Sequence, residues 1–342
     1  MTIEFKRQFE FSRLLNPAKN FEESAFPIEF RIDALTKDMG IVVEIRQIKS
    51  QKPDLSRVVA ESLQGGCPFC PEAIDKVTPK FPPDFCPEGR IKLNEAVVFP
   101  NAAPYMSCSA LTVFSSQHFI GLTGFTEDML VDAFLASQTY LKRVQEHDPG
   151  AKYCYVTWNY MPPANSSQIH PHLQVAAGHF PLAYHRNLLE AAQKYHNQNG
   201  TNYSSDLIVE EKRLQERYIA ALGNTIWLTS FVPRSAQLDI LAIFQGRESF
   251  LFLTQEDIRS FCQGLTNVFR YMDDKGFYSF NLCFYSGTIA EDSFWTQARL
   301  IQRGPLGPLN ISDVGYSTLL LDTKLCLRYP ERICQELRTY FG

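Results

Sequence analysis

The sequence predicts a mixed helix-and-strand protein assembled from two similar halves. Two observations carry this. A capped helix, a turn and an aromatic strand occur in the same order twice along the 342 residues, the pattern a duplication leaves. The first copy is followed by a strand with histidines at alternate positions, and the second copy has no histidine at all.

In the first copy, Thr126-Glu127-Asp128 offers a capping hydroxyl and first-turn acids. Leu130, Phe134, Leu141 and Val144 then fall on one helical face. Asp148-Pro149-Gly150 ends the helix. Lys152 to Asn159 is aromatic and β-branched and reads as a strand. Residues 160–169 read as a loop, and His170 to Val175 as a second strand. In the second copy, Thr254 opens a helix carrying Ile258, Phe261, Leu265, Val268 and Phe269. Asp273 to Gly276 turns the chain into a strand from Phe277 to Tyr285. All seven histidines lie at or before His196. The chain thus divides into residues 1–195, with the histidine pattern, and 196–342, without it. Prolines between residues 68 and 104 mark an irregular stretch.

Composition narrows the class of function. Hydrophobic residues make up 45% and charged residues 20%, which permits a large core. The formal charge is −4 and no Lys/Arg run stands out, so a nucleic-acid backbone is not an expected partner. A small basic pocket for a nucleotide remains open. No apolar stretch approaches the roughly 20 residues of a membrane span, so no membrane association is expected. The opening MTIEFKRQFEF lacks a signal-peptide core, and nine cysteines is an odd number. Both point to a reducing, cytoplasmic setting.

Alternate residues of a strand share a face. His170, His172 and Gln174 would form one polar row, with Pro171, Leu173 and Val175 facing a core. Pro171 cannot donate to a ladder, which predicts an edge strand or a gap there. Two imidazoles and an amide in a row can supply a nucleophile, a metal ligand and a phosphate-oxygen donor. The plainer alternative is two surface histidines on a half-exposed strand. His179, His185 and His196 read as polar surface or helix residues. His147 reads as a helix C-terminal residue favoured by the dipole.

Cys67-Pro68-Phe69-Cys70 places two thiols two residues apart. Such a pair can grip one metal, and zinc then needs two more ligands. It also fits a redox dithiol. His118 and His170 could complete a Cys2His2 set; Cys86 and Cys108 are rivals. Isolated Cys154, Cys262 and Cys283 are more simply buried apolar residues.

Together these residues resemble the galactose-1-phosphate uridylyltransferase family of the histidine-triad superfamily, over most of the chain. Arg31-Ile32-Asp33-Ala34-Leu35-Thr36 and Gly40-Ile41-Val42-Val43 are similar to its opening strands. Cys67-Pro68-Phe69-Cys70 is similar to its first metal pair, and Val98-Phe99-Pro100-Asn101 to the stretch before its third ligand, here His118. His170-Pro171-His172-Leu173-Gln174 is similar to its active-site signature. The resemblance implies an α+β, histidine-triad-like fold, two similar halves each with an antiparallel sheet packed by helices. It implies zinc (Zn2+) on Cys67, Cys70, His118 and His170. It implies His172 as the nucleophile towards the α-phosphorus of a nucleoside diphosphate sugar, and Gln174 as donor to a non-bridging oxygen. Ser167 would hold the phosphates and Asn159 would help seat the nucleotide. Val314-Gly315-Tyr316 is similar to a segment that touches the sugar; its alternative reading is a core strand over 314–321. The implied reaction moves a nucleotidyl group, uridylyl by family default, between sugar 1-phosphates through a covalent intermediate. A homodimer is also implied.

The sequence departs from the family at three places. Residues 160–166 are usually glycine-rich with a basic residue, and here contain Pro162-Pro163. Asn281 and Cys283 stand where some members place histidines for a second metal, so no second metal is expected. Ser317 replaces a glutamate that grips sugar hydroxyls, so galactose is not fixed as the sugar. A phosphorylase or hydrolase on the same intermediate, and a non-catalytic nucleotide-binding protein, remain alternatives.

Overall fold

The computed structural model describes residues 3–44, 52–288, 292–306 and 311–342. Strands β1 (Lys6–Asn16), β2 (Glu22–Ile32) and β3 (Met39–Val42) come first, followed by short helices α1 (Ser56–Gln64) and α2 (Pro71–Val77). The first half then runs β4 (Ile91–Leu93), β5 (Ala96–Pro100), β6 (Cys108–Val113), α3 (Glu127–His147), β7 (Tyr153–Tyr160) and β8 (His172–Gly178). Helices α4 (Ala183–Asn199) and α5 (Tyr203–Leu214) lead to the second half. That half runs β9 (Tyr218–Leu222), β10 (Thr225–Thr229), β11 (Asp239–Phe244), α6 (Gln255–Asp274), β12 (Phe280–Tyr285) and β13 (Gln297–Gln302). The chain closes with α7 (Tyr316–Leu320), β14 (Lys324–Cys326) and α8 (Pro330–Phe341).

The duplication is visible in the sheet. Ten strands lie in the order β4-β5-β6-β8-β7-β12-β13-β11-β10-β9. Read inwards from either edge, each half presents its first, second, third, fifth and fourth strands. The halves meet where β7 pairs antiparallel with β12, with Asn159 opposite Asn281. The two expected antiparallel sheets are therefore joined edge to edge into one. A separate four-stranded sheet, β1-β2-β3-β14, is built from both chain ends.

The two long helices are equivalent and pack together on one face of the large sheet. Each starts at a threonine cap. Thr126 accepts from Met129 N, and Thr254 forms a capping box with Asp257. Phe134 of α3 meets Phe261 of α6 with ring centroids 5.6 Å apart. Trp158 is sealed between Phe114, Phe125, Phe269 and Phe280. Gly264 lets α6 lie flat on Trp227, since a Cβ there would overlap the indole.

Three sequence expectations change. The histidine-bearing strand of the first half, β8, begins at His172, not His170. The Pro171 carbonyl accepts from Phe114 N at 3.3 Å, but Pro171 has no N–H to extend the ladder. Of the two readings of Pro171, the gap in the ladder holds and the edge does not, since β8 lies between β6 and β7. The 314–321 segment is no core strand but holds α7, with Tyr316, Leu319 and Leu320 exposed. His185 is buried rather than superficial, its Nδ1 3.0 Å from the Tyr155 hydroxyl.

Candidate active site

Four side chains that could hold a metal ion converge from three parts of the first half. The Cys67–Cys70 turn leads into α2, with Cys70 as its N-cap residue. His118 comes from the segment after β6, and His170 from the residues before β8. Their ligand atoms all lie within 4.8 Å of one another. Cys67 Sγ is 3.6 Å from His170 Nδ1, Cys70 Sγ is 3.8 Å from the same atom, and Cys70 Sγ is 3.3 Å from His118 Nδ1. A tetrahedral zinc with ordinary Zn–S and Zn–N bonds separates S from N by about 3.6 Å. The donor set and its spacing are thus compatible with zinc. A helix does follow the cysteine pair, as in redox dithiols, but two imidazoles close around the thiols.

The far side of each imidazole is also held. His118 Nε2 is 3.0 Å from Ser62 Oγ on α1. His170 Nε2 is 2.9 Å from the Ser115 carbonyl. A carbonyl only accepts, so His170 Nε2 carries the proton and Nδ1 turns its lone pair to the cluster. Burial pushes the His170 pKa down to about 4 and lowers that of His118, which keeps both rings neutral, as ligation requires. Burial and the adjacent Cys67 raise the Cys70 thiol to about 12; a divalent cation among these donors would reverse that. The rival ligands lie elsewhere: Cys86 bonds Glu88 at 3.5 Å, and Cys108 opens β6 at the end away from His172.

His172 is the first residue of β8, on the sheet face opposite α3 and α6. Its Nδ1 is 2.9 Å from the His170 carbonyl, so Nδ1 carries the proton and Nε2 the lone pair. Burial lowers its pKa despite that hydrogen bond. The ring also meets the edge of Phe69, with centroids 5.1 Å apart. Phe69, between the two cysteines, therefore touches both His170 of the Cys2His2 cluster and His172. Gln174 follows on the same face, in register with Leu111 and Thr157.

Asn159 lies on the adjacent strand and shares this face. Its Oδ1 accepts from Asn281 at 2.7 Å. Ser167 is exposed in the connection from β7 to His170. That connection is a tight turn rather than a glycine loop. Met161 takes φ 70° and ψ 159°, a conformation glycine favours, and buries its side chain. Pro162–Ala164 forms one 3-10 turn and Asn165 is left-handed. Tyr316 is not gathered with these residues: it is 73% exposed on α7, which packs mainly on β14 of the small sheet.

Sequence reasoning missed Ser62, Phe69 and Asn281 as neighbours of the site. A single serine on an amphipathic helix carries no spacing signal. Phe69 was legible only as the filler of a cysteine pair.

No family model matches the chain. An uncharacterized protein of Archaeoglobus fulgidus is 29% identical over 337 residues, 98% of either chain. Among solved structures, a GalT-like protein of Arabidopsis thaliana matches with TM-score 0.71 at 16% identity, over 90% of this chain and 98% of that one. The chain has the galactose-1-phosphate uridylyltransferase fold. An ADP-glucose phosphorylase of Arabidopsis thaliana, solved with bound ADP-glucose, matches equally, with TM-score 0.71 and 16% identity over 91% of this chain and 98% of that one. Within the galactose-1-phosphate uridylyltransferase fold, the paired β7 and β12 bring the second half against the strand pair that carries Asn159 and His172.

Proposed function

We propose that this protein is a nucleotidyl transferase, uridylyl by the resemblance, which exchanges sugar 1-phosphates on a nucleoside diphosphate sugar. The observation that carries the reading is the pinned imidazole of His172. Its Nδ1–H is held by the His170 carbonyl, so a neutral ring is left with the Nε2 lone pair for a substrate on the sheet face opposite α3 and α6. The Nε2 lone pair attacks the α-phosphorus and forms a P–N bond. The α–β bridging P–O bond breaks, and the electron pair leaves with the sugar 1-phosphate. A phosphate oxygen of a second sugar 1-phosphate then attacks the same phosphorus, breaks the P–N bond and restores His172. Gln174 donates to a non-bridging oxygen, Ser167 holds the phosphates and Asn159 seats the nucleotide; Tyr316, away from these residues on α7, has no part in this reading.

Cys67, Cys70, His118 and His170 would hold zinc. Its contribution is structural, a rigid tie between α2, the segment after β6 and the start of β8. That rigidity favours the near-attack placement on which such transfers depend.

A homodimer is part of this reading. The β1–β2 hairpin carries Phe9, Phe11, Leu14, Leu15, Phe21 and Phe26 exposed, with apolar residues on both faces of the ribbon. Monomers rarely leave so much apolar surface open. A cytoplasmic setting fits nine cysteines that are all free, and among the described residues no helix is long and apolar enough to cross a membrane.

The test is an exchange assay. The protein is supplied with UDP-glucose or ADP-glucose and a labelled second sugar 1-phosphate, and label is sought in nucleoside diphosphate sugar. Label in that product, lost in His172→Ala, supports the transferase. Label absent there, with nucleoside diphosphate formed only when phosphate is added, or nucleoside monophosphate formed with water alone, assigns a phosphorylase or a hydrolase instead.

A further inference from the structure

The second half has no histidine, yet it reaches the candidate site through one amide. Asn281 on β12 makes three hydrogen bonds with its side chain. Nδ2 donates to Asn159 Oδ1 at 2.7 Å and to the Ala164 carbonyl at 2.8 Å. Oδ1 accepts from Arg303 Nη1 at 2.9 Å. Arg303 is held in turn by Asp313, whose carboxylate accepts from Nε at 2.7 Å and Nη2 at 3.1 Å. Asp313 also accepts from Gly304 N at 3.1 Å.

The chemistry of the outer partners fixes every amide in this chain. A guanidinium can only donate, so Asn281 must turn its oxygen to Arg303. A backbone carbonyl can only accept, so Asn281 must turn its NH2 to Ala164. The second hydrogen of that NH2 then meets Asn159, which must answer with its oxygen. The amide orientation follows from the ends of the relay and needs no assignment by eye. Asn159 is left with its own NH2 free: it has no hydrogen-bond partner among the described residues. Asn159 is half-buried and lies two residues beyond the Thr157–Gln174 pair, on the same face of the sheet as Gln174 and His172.

We propose that Asn281, Arg303 and Asp313 are positioning residues that lock Asn159 with its NH2 towards the substrate. The site therefore selects a hydrogen-bond acceptor at that point, a carbonyl or phosphoryl oxygen of the nucleotide. The second half thus sets the polarity of the first half's site. This rests on the nucleotidyl-transfer reading for the identity of the ligand, but not for the orientation of the amide.

Asn281→Asp inverts the relay. The introduced carboxylate still accepts from Arg303 but has no hydrogen to give, so Asn159 turns, donates to it, and shows its oxygen to the substrate. Binding of UDP-glucose and of ADP-glucose is measured by calorimetry, with thermal melting as the check on folding. For whichever nucleotide the wild type binds, Kd is expected to rise about tenfold in Asn281→Asp and similarly in Asn159→Ala. The double variant should be no weaker than Asn159→Ala alone. Unchanged affinity in a folded Asn281→Asp, or additive losses in the double variant, would overturn the proposal. A purely structural tie between the halves would lower the melting point without this non-additivity in Kd. A second measurement needs no ligand. With 15N-labelled asparagine, the side-chain amide protons of Asn281 should exchange slowly with solvent and those of Asn159 fast; the reverse pattern contradicts the assigned orientation. If the wild type binds neither nucleotide sugar, the nucleotidyl reading fails while the exchange experiment still decides the relay.

Discussion

His172 Nδ1 lies 2.9 Å from the backbone oxygen of His170, the residue whose ring closes the Cys2His2 cluster. One residue thus both belongs to the Cys2His2 cluster and fixes the tautomer of the proposed nucleophile. The pleat of a strand alone would not achieve this. Because Pro171 interrupts the ladder, the backbone at His170 is free to accept from a side chain.

The outer contacts of the cluster predict its metal affinity. Ser62→Ala removes the hydroxyl 3.0 Å from His118 Nε2, and zinc affinity in a chelator competition should fall about tenfold. Cys70→Ser should abolish stoichiometric zinc, as measured by elemental analysis, and lower the melting temperature. Equal zinc affinity in Ser62→Ala and wild type would mean that Ser62 does not orient the ring.

His185 predicts a pH dependence of stability. Burial pushes its pKa from 6.5 down to about 4. Between those values the unfolded chain binds a proton that the folded chain does not. Stability is therefore full above about 6.5 and declines as pH falls towards 4. His185→Gln should melt with a shallower pH dependence over that window. Identical slopes would place the lost proton elsewhere.

A buried ion network ties the chain ends to the second half. Arg31 bonds Glu29 at 2.9 Å and grips Glu331 with both terminal nitrogens, at 2.9 and 3.0 Å. Arg217 bonds Glu211 at 2.8 Å and the same Glu331 at 2.9 Å. Both arginines are fully buried. Arg217→Met leaves the buried Glu211 carboxylate without its counter-charge, and should cost about 3–5 kcal/mol in chemical denaturation. A loss below about 1 kcal/mol, the size of a surface pair, would contradict the network's importance.

The hairpin predicts assembly. Phe11 is 64% exposed on β1, on the same face as Phe9. Phe11→Glu should shift a dimer to monomer in light scattering at micromolar concentration without altering the melting of the core. A wild type that is already monomeric would remove the hairpin as a dimer surface.

How far the sequence could be read depended on whether a feature is local. The α3 and α6 starts were legible because Thr126 and Thr254 are capping residues with acids behind them, and both helices begin at the next residue. The cysteine pair and the histidine row were legible because spacing itself encodes them. The rivals to His118 and His170 as ligands, Cys86 and Cys108, could be excluded only in space. The joining of two sheets through β7 and β12 depends on pairing between distant segments, which no local pattern states. The burial of His185 was hidden for the same reason: its cover comes from Tyr155, Tyr285 and Phe294, on other elements. The α7 helix was misjudged because an apolar run of a few residues fits a strand or a helix equally.

The most direct test of the central claim is the covalent intermediate itself. The zinc-replete protein is mixed with UDP-glucose, and separately ADP-glucose, each labelled at the α-phosphate, and quenched in base within a turnover. One nucleotidyl group per active chain, acid-labile, located on His172 and absent in His172→Ala, is the predicted result. No adduct from either donor, in protein that binds it, would contradict the account of His172 as nucleophile.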